Sequence, residues 1–176
     1  MVMLDFPRLR QTSAFDCGAV VTEAILDYYG FDVREDKIIK IAKTNRKGTS
    51  PKGIIRILRK YKLKPKIHKF TIEQVKKFIS RGHPVILLVQ AWTDKQKVNW
   101  EKDWTDGHYV VAIGYDKKKM YFEDPSSVFK IYLTFEELEK RWHDSDSRIK
   151  NKRYVHMGIV FSGKKKYNSK KVVKMG

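Results

Sequence analysis

The hydrophobic pattern of the chain changes character at Pro84. Before it, apolar residues recur at the spacing of amphipathic helices; after it, they form short runs rich in β-branched and aromatic residues. A mostly helical half followed by antiparallel strands predicts an α+β fold. One predicted hairpin has residues 116–119 at its turn. The predicted strands are PVILLVQA, HYVVAIGY, MYFED, VFKIYL and YVHMGIVF.

Local signals place the predicted helices of the chain. One helix is predicted over residues 17–29, where Gly30 is a natural stop, and a second over residues 34–44. A serine followed by a proline at residues 50–51 is typical of a helix start. Two further helices are predicted from pairs with the spacing of a capping box, namely Thr71 with Gln74 and Thr134 with Glu137.

The length of 176 residues is that of one domain. We predict a single domain over residues 1–162 and a basic, flexible tail over residues 163–176. No stretch approaches the ~18–20 apolar residues that a membrane span requires. The first residues also lack the basic and apolar blocks of a signal peptide. A cytoplasmic location is therefore expected, and the oligomeric state stays open.

The charge of the chain is strongly one-sided. Lys and Arg number 38 and Asp and Glu number 20, which gives a formal net charge of +18. Such a surface would attract polyanions, including nucleic acid, without sequence preference. The alternative is a lysine-rich surface whose only role is solvation. Composition does not separate these two interpretations.

The only cysteine, Cys17, opens the first predicted helix. It forms no intramolecular disulfide or thiolate zinc cluster, so it is either a small buried hydrophobe or a reactive thiol. A thiol at a helix N-terminus lies at the positive end of the helix dipole, which favours the thiolate. Upstream, Gln11 is either a surface residue or a donor that joins the Cys17 backbone N–H in an oxyanion hole.

Two further residues complete a candidate constellation. His108 opens a predicted apolar strand, a rigid position that suits a general base, although a purely structural histidine would fit there as well. Asp124 ends the next predicted strand, where a carboxylate can accept the other imidazole N–H and fix its tautomer. The Asp-Pro pair at 124–125 is also an ordinary turn signal.

Residues next to Cys17 and His108 in the sequence are candidates for the wall of a substrate cleft, and one of them is a tryptophan. Tryptophans at 92, 100 and 104 lie in the long segment between two predicted strands. They would either line a cleft beside His108 or pin this segment to the body of the protein. The four wall candidates are Asp16, Gly18, Gly107 and Trp104.

These motifs together resemble those of a known family. The segment QTSAFDCGAVVTEAILDYYG is similar to the nucleophile motif of the bacteriocin-processing, double-glycine-leader (C39-like) cysteine peptidases, in which a Gln precedes Asp-Cys-Gly or Glu-Cys-Gly. GHYVVAIGYD and FEDPS resemble the His and Asp-Pro motifs of that family. The resemblance covers about residues 10–161 and is closest to the free-standing branch, because no membrane or ATPase segment follows.

The resemblance implies a papain-like peptidase domain and a role for each site residue. Cys17 would attack a peptide carbonyl, His108 would act as base, and Asp124 would orient it. Gln11 would line the oxyanion hole. Substrates would be leader- or propeptide-type sequences with small residues at the cleavage site.

Other functions remain open at this stage. The same three residue types serve acyltransferases of the transglutaminase-like kind, although the upstream glutamine favours a peptidase. Non-catalytic relatives dock peptides, but they typically lack the cysteine. We expect no metal, and the absence of a Gly-rich phosphate loop argues against a nucleotide cofactor.

Overall fold

A computed structural model describes residues 1–146 and 148–175 of the chain. These residues form five helices, which are α1 Cys17–Tyr28, α2 Glu35–Ala42, α3 Pro51–Lys60, α4 Ile72–Ser80 and α5 Phe135–Arg141. They also form nine strands, which are β1 Val2–Met3, β2 Lys66–Lys69, β3 Val85–Gln90, β4 Gly107–Tyr115, β5 Lys119–Glu123, β6 Ile131–Thr134, β7 His143–Ser145, β8 Arg153–Val155 and β9 Met157–Val160. The predicted α+β class is confirmed.

The central sheet is antiparallel and has the strand order β2-β9-β3-β4-β5-β6, with β1 also paired to β4. In the β3–β4 pair, Val89 lies opposite His108 and Gln90 opposite Gly107. The predicted hairpin joins β4 to β5, and its turn is closed by the Asp116 N–H, which donates to the Lys119 carbonyl at 3.0 Å. The sheet therefore carries the two segments with the predicted base and carboxylate side by side.

Helices cover both faces of the sheet, which explains the unbroken apolar run of β3. Ile86 and Leu88 point into a core shared with α1, α2 and α3. Val85, Leu87 and Val89 alternate with them and point into a second core shared with α4 and α5. Because both faces are buried, the strand needs no polar face and reads as continuously hydrophobic.

The helix starts agree with the local sequence signals. The Ser50 hydroxyl accepts from the Gly53 N–H at 3.0 Å, with Pro51 as the first helical residue. Both predicted capping boxes, Thr71 with Gln74 and Thr134 with Glu137, are present. These predictions succeed because each depends on a few neighbouring residues.

Three features of the sheet differ from the sequence prediction, and one of them is the two-residue strand β1, which was not predicted. The strand β2 was not predicted, because its sequence KIHK is polar and all four of its residues are exposed. The single run predicted over residues 154–161 is divided at His156, whose φ of 54° interrupts the strand conformation. The His156 N–H donates to the Trp142 carbonyl at 2.8 Å. A contact with a residue far away in the sequence therefore stabilises the interruption between β8 and β9.

The tail beyond residue 162 contacts the body near the end of α1. The N–H groups of Lys166 and Tyr167 both donate to the Tyr28 carbonyl at 3.1 Å. The Ser169 N–H donates to an Asp5 carboxylate oxygen at 3.1 Å. Gly176, the last residue of the predicted tail, lies outside the described residues. Across residues 1–146 and 148–175, no helix combines the length and apolar character needed to cross a membrane.

Candidate active site

Cys17 is the first residue of α1, and the loop before it is folded around one carboxylate. The Asp16 Oδ2 atom accepts from the Thr12 N–H at 3.2 Å, the Thr12 hydroxyl at 3.0 Å and the Ser13 N–H at 2.9 Å. The Asp16 carbonyl accepts the first two backbone bonds of the helix. Cys17 itself is 9% exposed. Cys17 thus lies at the helix N-terminus, at the edge of the core, where a small part of the residue is exposed to solvent.

The helix also lies very close to its neighbours at the residue after the cysteine. A Cβ atom on Gly18 would lie 2.7 Å from the Thr49 Cβ and 3.0 Å from a Tyr109 ring carbon. Only glycine avoids this overlap without a shift of the surrounding groups. Gly18 therefore sets the depth at which α1 packs against β4.

His108 and Asp124 meet across the β4–β5 hairpin. His108 is the second residue of β4, and Asp124 directly follows β5. The His108 Nε2 atom lies 2.8 Å from the Asp124 Oδ1 atom, and both side chains are buried. Because Nε2 faces the carboxylate, Nδ1 is the ring nitrogen left for Cys17.

The electrostatics of this group favour a charged ring. Burial opposes protonation of His108, but hydrogen bonds to Asp124 and Cys17 and the negative charges of both raise its pKa to about 9. Burial likewise favours a neutral Asp124, but its bond to His108, the charge of that ring and further donors lower its pKa. Near neutral pH the arrangement therefore favours the imidazolium form of His108.

Asp124 is fixed by two donors besides His108. The Ser126 N–H donates to Oδ1 at 2.7 Å. The indole N–H of Trp92 donates to Oδ2 at 2.8 Å, although the side chain of this tryptophan is largely exposed. The sequence marked Trp92 only as part of a tryptophan-rich segment, and its bond to Asp124 was not predicted. The concentration of indoles between two strands is the signal that pointed to this segment.

Gln11 is anchored next to the carboxylate segment. Its backbone N–H donates to the Pro125 carbonyl at 3.0 Å, which ties the start of the nucleophile loop to the residue after Asp124. Its side-chain amide donates to the Ser13 carbonyl at 3.0 Å. An amide nitrogen has two N–H groups, and the bond to Ser13 uses one of them.

Cys17 opens into a cavity of about 440 Å³. Of the predicted wall residues, Gly107 and Trp104 line this cavity, whereas Asp16 and Gly18 are buried beside Cys17. Trp104 also packs against the His143 ring, with centroids 4.2 Å apart. Further lining residues are Phe15, Arg46, Lys47, Thr49, Leu88, Tyr109, Asp144, Asp146, Arg148 and Tyr154.

A second carboxyl group lies against Asp16. The Asp16 Oδ1 atom and the Glu35 Oε1 atom are both buried, and neither has a hydrogen-bond partner among the described residues when both groups are ionised. Burial, the charge of Asp16 and a hydrogen bond to Asp16 raise the pKa of Glu35. A proton on Glu35 resolves both deficits, since its O–H can then donate to Asp16.

No metal centre emerges from the part of the chain that the structure covers. Within residues 1–146 and 148–175, no group of three or more His, Cys, Asp or Glu side chains is arranged to hold a metal ion. The groups around Cys17 are those of nucleophilic and acid–base chemistry.

Comparisons with known proteins point in the same direction. The sequence model of the Peptidase C39 family matches residues 5–145. A search of curated proteins finds no match. Among solved structures, the chain is similar to a C39-like peptidase from Bacillus anthracis, with 18% identity, a TM-score of 0.71, and coverage of 94% of this chain and 98% of that one.

Two similar structures come from transporter proteins. The peptidase domain of Streptococcus ComA, a bi-functional ABC transporter involved in quorum sensing, is 19% identical with a TM-score of 0.67, covering 89% of this chain and 97% of that one. A double glycine motif protease from an AMS/PCAT transporter, in complex with the leader peptide, is 20% identical with a TM-score of 0.68, covering 93% and 95%. The shared feature is the papain-like peptidase fold.

Proposed function

The chain belongs to the Peptidase C39 family of cysteine-type peptidases, and on this premise we propose that it hydrolyses peptide bonds with Cys17 as nucleophile. In this proposal His108 is the general base and acid, and Asp124 orients its ring. The observation that carries the assignment is the buried Nε2–Oδ1 bond of 2.8 Å, which leaves the other ring nitrogen for Cys17.

The reaction follows from these positions. The Cys17 thiolate attacks the peptide carbonyl carbon, and the carbonyl oxygen becomes negative. Gln11 and the Cys17 backbone N–H stabilise that oxyanion. The His108 imidazolium gives its Nδ1 proton to the leaving amine, and an acyl-enzyme thioester remains. His108 then takes a proton from water while the hydroxide attacks the thioester carbonyl carbon. The C–S bond breaks and restores the Cys17 thiolate beside the imidazolium, and the carboxylic acid product leaves and loses its proton to solvent.

Asp124 keeps the catalytic tautomer in place through both halves of the reaction. The carboxylate accepts the Nε2 proton and stabilises the imidazolium that forms, without itself becoming protonated. Because His108 must hold a proton until the amine leaves, hydrolysis is expected to fall as pH rises through about 9.

The proposed substrates are leader- or propeptide-type sequences with small residues at the cleavage site. Two observations support this choice. A similar solved structure is a double glycine motif protease in complex with the leader peptide. In this chain the nucleophile opens into a cavity bounded by Gly107, which has no side chain, and by the Trp104 ring.

Peptide hydrolysis by purified variants tests the proposal. Cys17→Ala and His108→Ala should each abolish cleavage, whereas His68→Ala, which alters an exposed histidine of β2, should leave it unchanged. Gln11→Ala should lower kcat by about 10²–10³ if it donates to the oxyanion. Cleavage that persists in the Cys17→Ala protein would refute the mechanism. An amide product formed with an added amine, in place of hydrolysis, would identify an acyltransferase instead.

A further inference from the structure

The cavity beside Cys17 contains a carboxylate that the proposed mechanism does not use. Asp144 lies on β7 and lines the same cavity as Cys17. Its Oδ1 atom accepts from the Gln90 side-chain N–H₂ group at 2.9 Å. Gln90 is fully buried, and the same nitrogen donates to the His143 carbonyl at 3.0 Å, while its oxygen accepts from the Asp106 N–H at 2.8 Å. The Asp144 carboxylate is thus anchored by the buried Gln90 amide, whose two N–H groups both donate hydrogen bonds.

This carboxylate lies directly over the backbone that leads into His108. A Cβ atom on Gly107 would overlap the carboxylate atoms of Asp144, so only glycine leaves room for the acid at this position. Gly107 immediately precedes His108 on β4. The negative charge therefore lies against the residue that precedes the proposed base in the chain.

The cations around the cavity do not neutralise Asp144. In the described part of the chain, no Lys, Arg or His nitrogen lies within 4.0 Å of its oxygens, the distance that defines an ion pair. Arg148 instead pairs with Asp146 at 2.8 Å and donates to the Lys47 and Gly48 carbonyls. Arg46 and Lys47 are exposed.

A half-buried carboxylate without a cation is an unfavourable arrangement that an incoming cation would relieve. Burial raises the pKa of Asp144 to about 6, so the group is mostly ionised at neutral pH. Burying a charge is costly unless it is paired and hydrogen-bonded. A substrate ammonium or guanidinium group would supply the missing partner, with the tyrosine rings at 109 and 154 as apolar walls for its methylene stem.

We propose that Asp144 selects peptide substrates that carry a basic side chain, Lys or Arg, close to the scissile bond. This inference rests on the proposed peptidase function and adds a charge preference to it. Small residues would occupy the bond itself, and the basic side chain would reach the cavity from a neighbouring position. Asp144 would act in recognition and would take no part in the proton transfers.

Matched peptides test the preference. In one series a single lysine is moved through successive positions around the cleaved bond, and in the second series norleucine replaces it. The wild-type protein should cleave the lysine peptide with a kcat/KM about tenfold higher at one of these positions, as expected for a charge-assisted contact. In Asp144→Asn, whose amide oxygen still accepts from Gln90, the ratio should fall to about one.

The control variant changes the net charge by the same amount on another part of the molecule. Glu73→Gln lies on α4, and the Glu73 side chain is 71% exposed. It should retain the lysine preference of the wild-type protein. An equal lysine-to-norleucine ratio in the wild-type protein at every position would overturn the inference, as would an unchanged preference in Asp144→Asn.

A second measurement does not depend on peptide hydrolysis. Because Cys17 is the only cysteine, methanethiosulfonate reagents report the local charge at this one site. The cationic ethylammonium reagent should outpace the anionic ethylsulfonate reagent by a larger ratio in the wild-type protein than in Asp144→Asn. An equal ratio in both would contradict the role of Asp144. The cationic-to-anionic rate ratio could fall in Asp144→Asn even though the wild-type protein cleaves no peptide. That result would contradict only the proposed peptidase function.

Discussion

The Asp124 carboxylate accepts hydrogen bonds from three separate parts of the chain. His108 and the Ser126 N–H share Oδ1, at 2.8 and 2.7 Å, and the Trp92 indole occupies Oδ2 at 2.8 Å. The carboxylate cannot rotate without losing contacts on both oxygens. Hydrogen bonds to an ionised group are stronger than neutral ones, so these donors also keep Asp124 charged and acceptor-only.

Trp92 is therefore expected to act as a positioning residue. Trp92→Phe removes the indole N–H but keeps an aromatic ring, and it should lower kcat about tenfold, on the order of one charge-assisted hydrogen bond. The KM should change little, because Trp92 is outside the set of residues lining the cavity beside Cys17. Rates are compared per folded protein, with the folded fraction of each variant measured by chemical denaturation, so that loss of folded protein does not contribute.

Trp100→Phe is the matched control for this prediction. Trp100 belongs to the same segment between β3 and β4, but its ring lies under the Arg141 guanidinium at 3.9 Å. This variant should retain the wild-type kcat and KM. An equal loss in both variants would mean that the segment acts only through its packing.

The residues of the candidate site differ in how far the sequence could predict them. Cys17, His108 and Asp124 each lie in a local motif at an element boundary, so short-range patterns were enough to select them. The bond from Trp92 to Asp124 joins residues 32 positions apart. The Gln90–Asp144 bond joins residues 54 positions apart. Such contacts are set by how loops pack on the finished sheet, and no local pattern encodes them.

At the level of elements, α2 supports the start of α1 through the two adjoining carboxyl groups. Asp16 folds the nucleophile loop with one oxygen and faces Glu35 with the other. Glu35 is the first residue of α2. If Glu35 loses its proton, two carboxylates are buried side by side and the contact between the helices becomes repulsive. The position of the nucleophile is therefore linked to the protonation of a residue on another helix.

Glu35→Gln tests this link between the helices. The folded-state pKa of Glu35 is raised above its ordinary value of 4.5, so the native state binds more protons than the unfolded state and loses stability as pH rises from that value. A glutamine N–H₂ group donates to Asp16 at any pH. The free energy of unfolding of Glu35→Gln should therefore exceed that of the wild-type protein by an amount that grows as pH rises.

Glu35→Ala provides the contrasting variant. It leaves the buried Asp16 oxygen without a donor, which should cost roughly 1–3 kcal/mol of unfolding free energy at low pH. Chemical denaturation across a pH series measures all three proteins. If Glu35→Gln and Glu35→Ala behave alike at every pH, the two carboxyl groups do not share a proton.

Elements were predictable where their signals are local. The starts of α3, α4 and α5 depend on caps within three residues, and the structure contains all of them. The small β7–β8 sheet was not predicted as a unit, because its strands are three residues each and are only partly buried. Its formation depends on contacts with the segment between β3 and β4, such as the Ser145 hydroxyl bond to the Trp104 carbonyl at 3.1 Å.

At the level of the whole molecule, the acidic residues are unevenly distributed. The protein has a net charge of +18, yet a group of carboxylates is concentrated on α1, the following loop and α2. Burial, followed by the charges of Asp27, Glu35, Asp32 and Asp36, raises the pKa of Glu23 to about 7. This part of the surface is therefore locally repulsive when fully ionised, in spite of the overall positive charge.

Glu23→Gln should remove part of this repulsion. A raised carboxyl pKa in the folded state means that stability falls as pH rises from about 4.5 towards 7 and stays low above it. The Tm of Glu23→Gln should match the wild type near pH 4 and exceed it at pH 8 by about 2–4 °C, which corresponds to about 1 kcal/mol at this size. Glu73→Gln serves as control and should show no such divergence.

The proposed mechanism requires His108 to hold Cys17 as a thiolate at the tip of α1. The rate of alkylation of the single cysteine by iodoacetamide, measured from pH 5 to 9 in the wild-type protein and in His108→Gln, tests it directly. An unassisted thiol has a pKa of about 8.5 and reacts about tenfold more slowly for each pH unit below it.

We expect the wild-type rate to change only a few-fold between pH 6 and pH 8, and the rate of His108→Gln to be about 100-fold lower at pH 6 than at pH 8. Wild-type and His108→Gln curves that coincide, with both rates rising about tenfold per pH unit up to about 8.5, would contradict it.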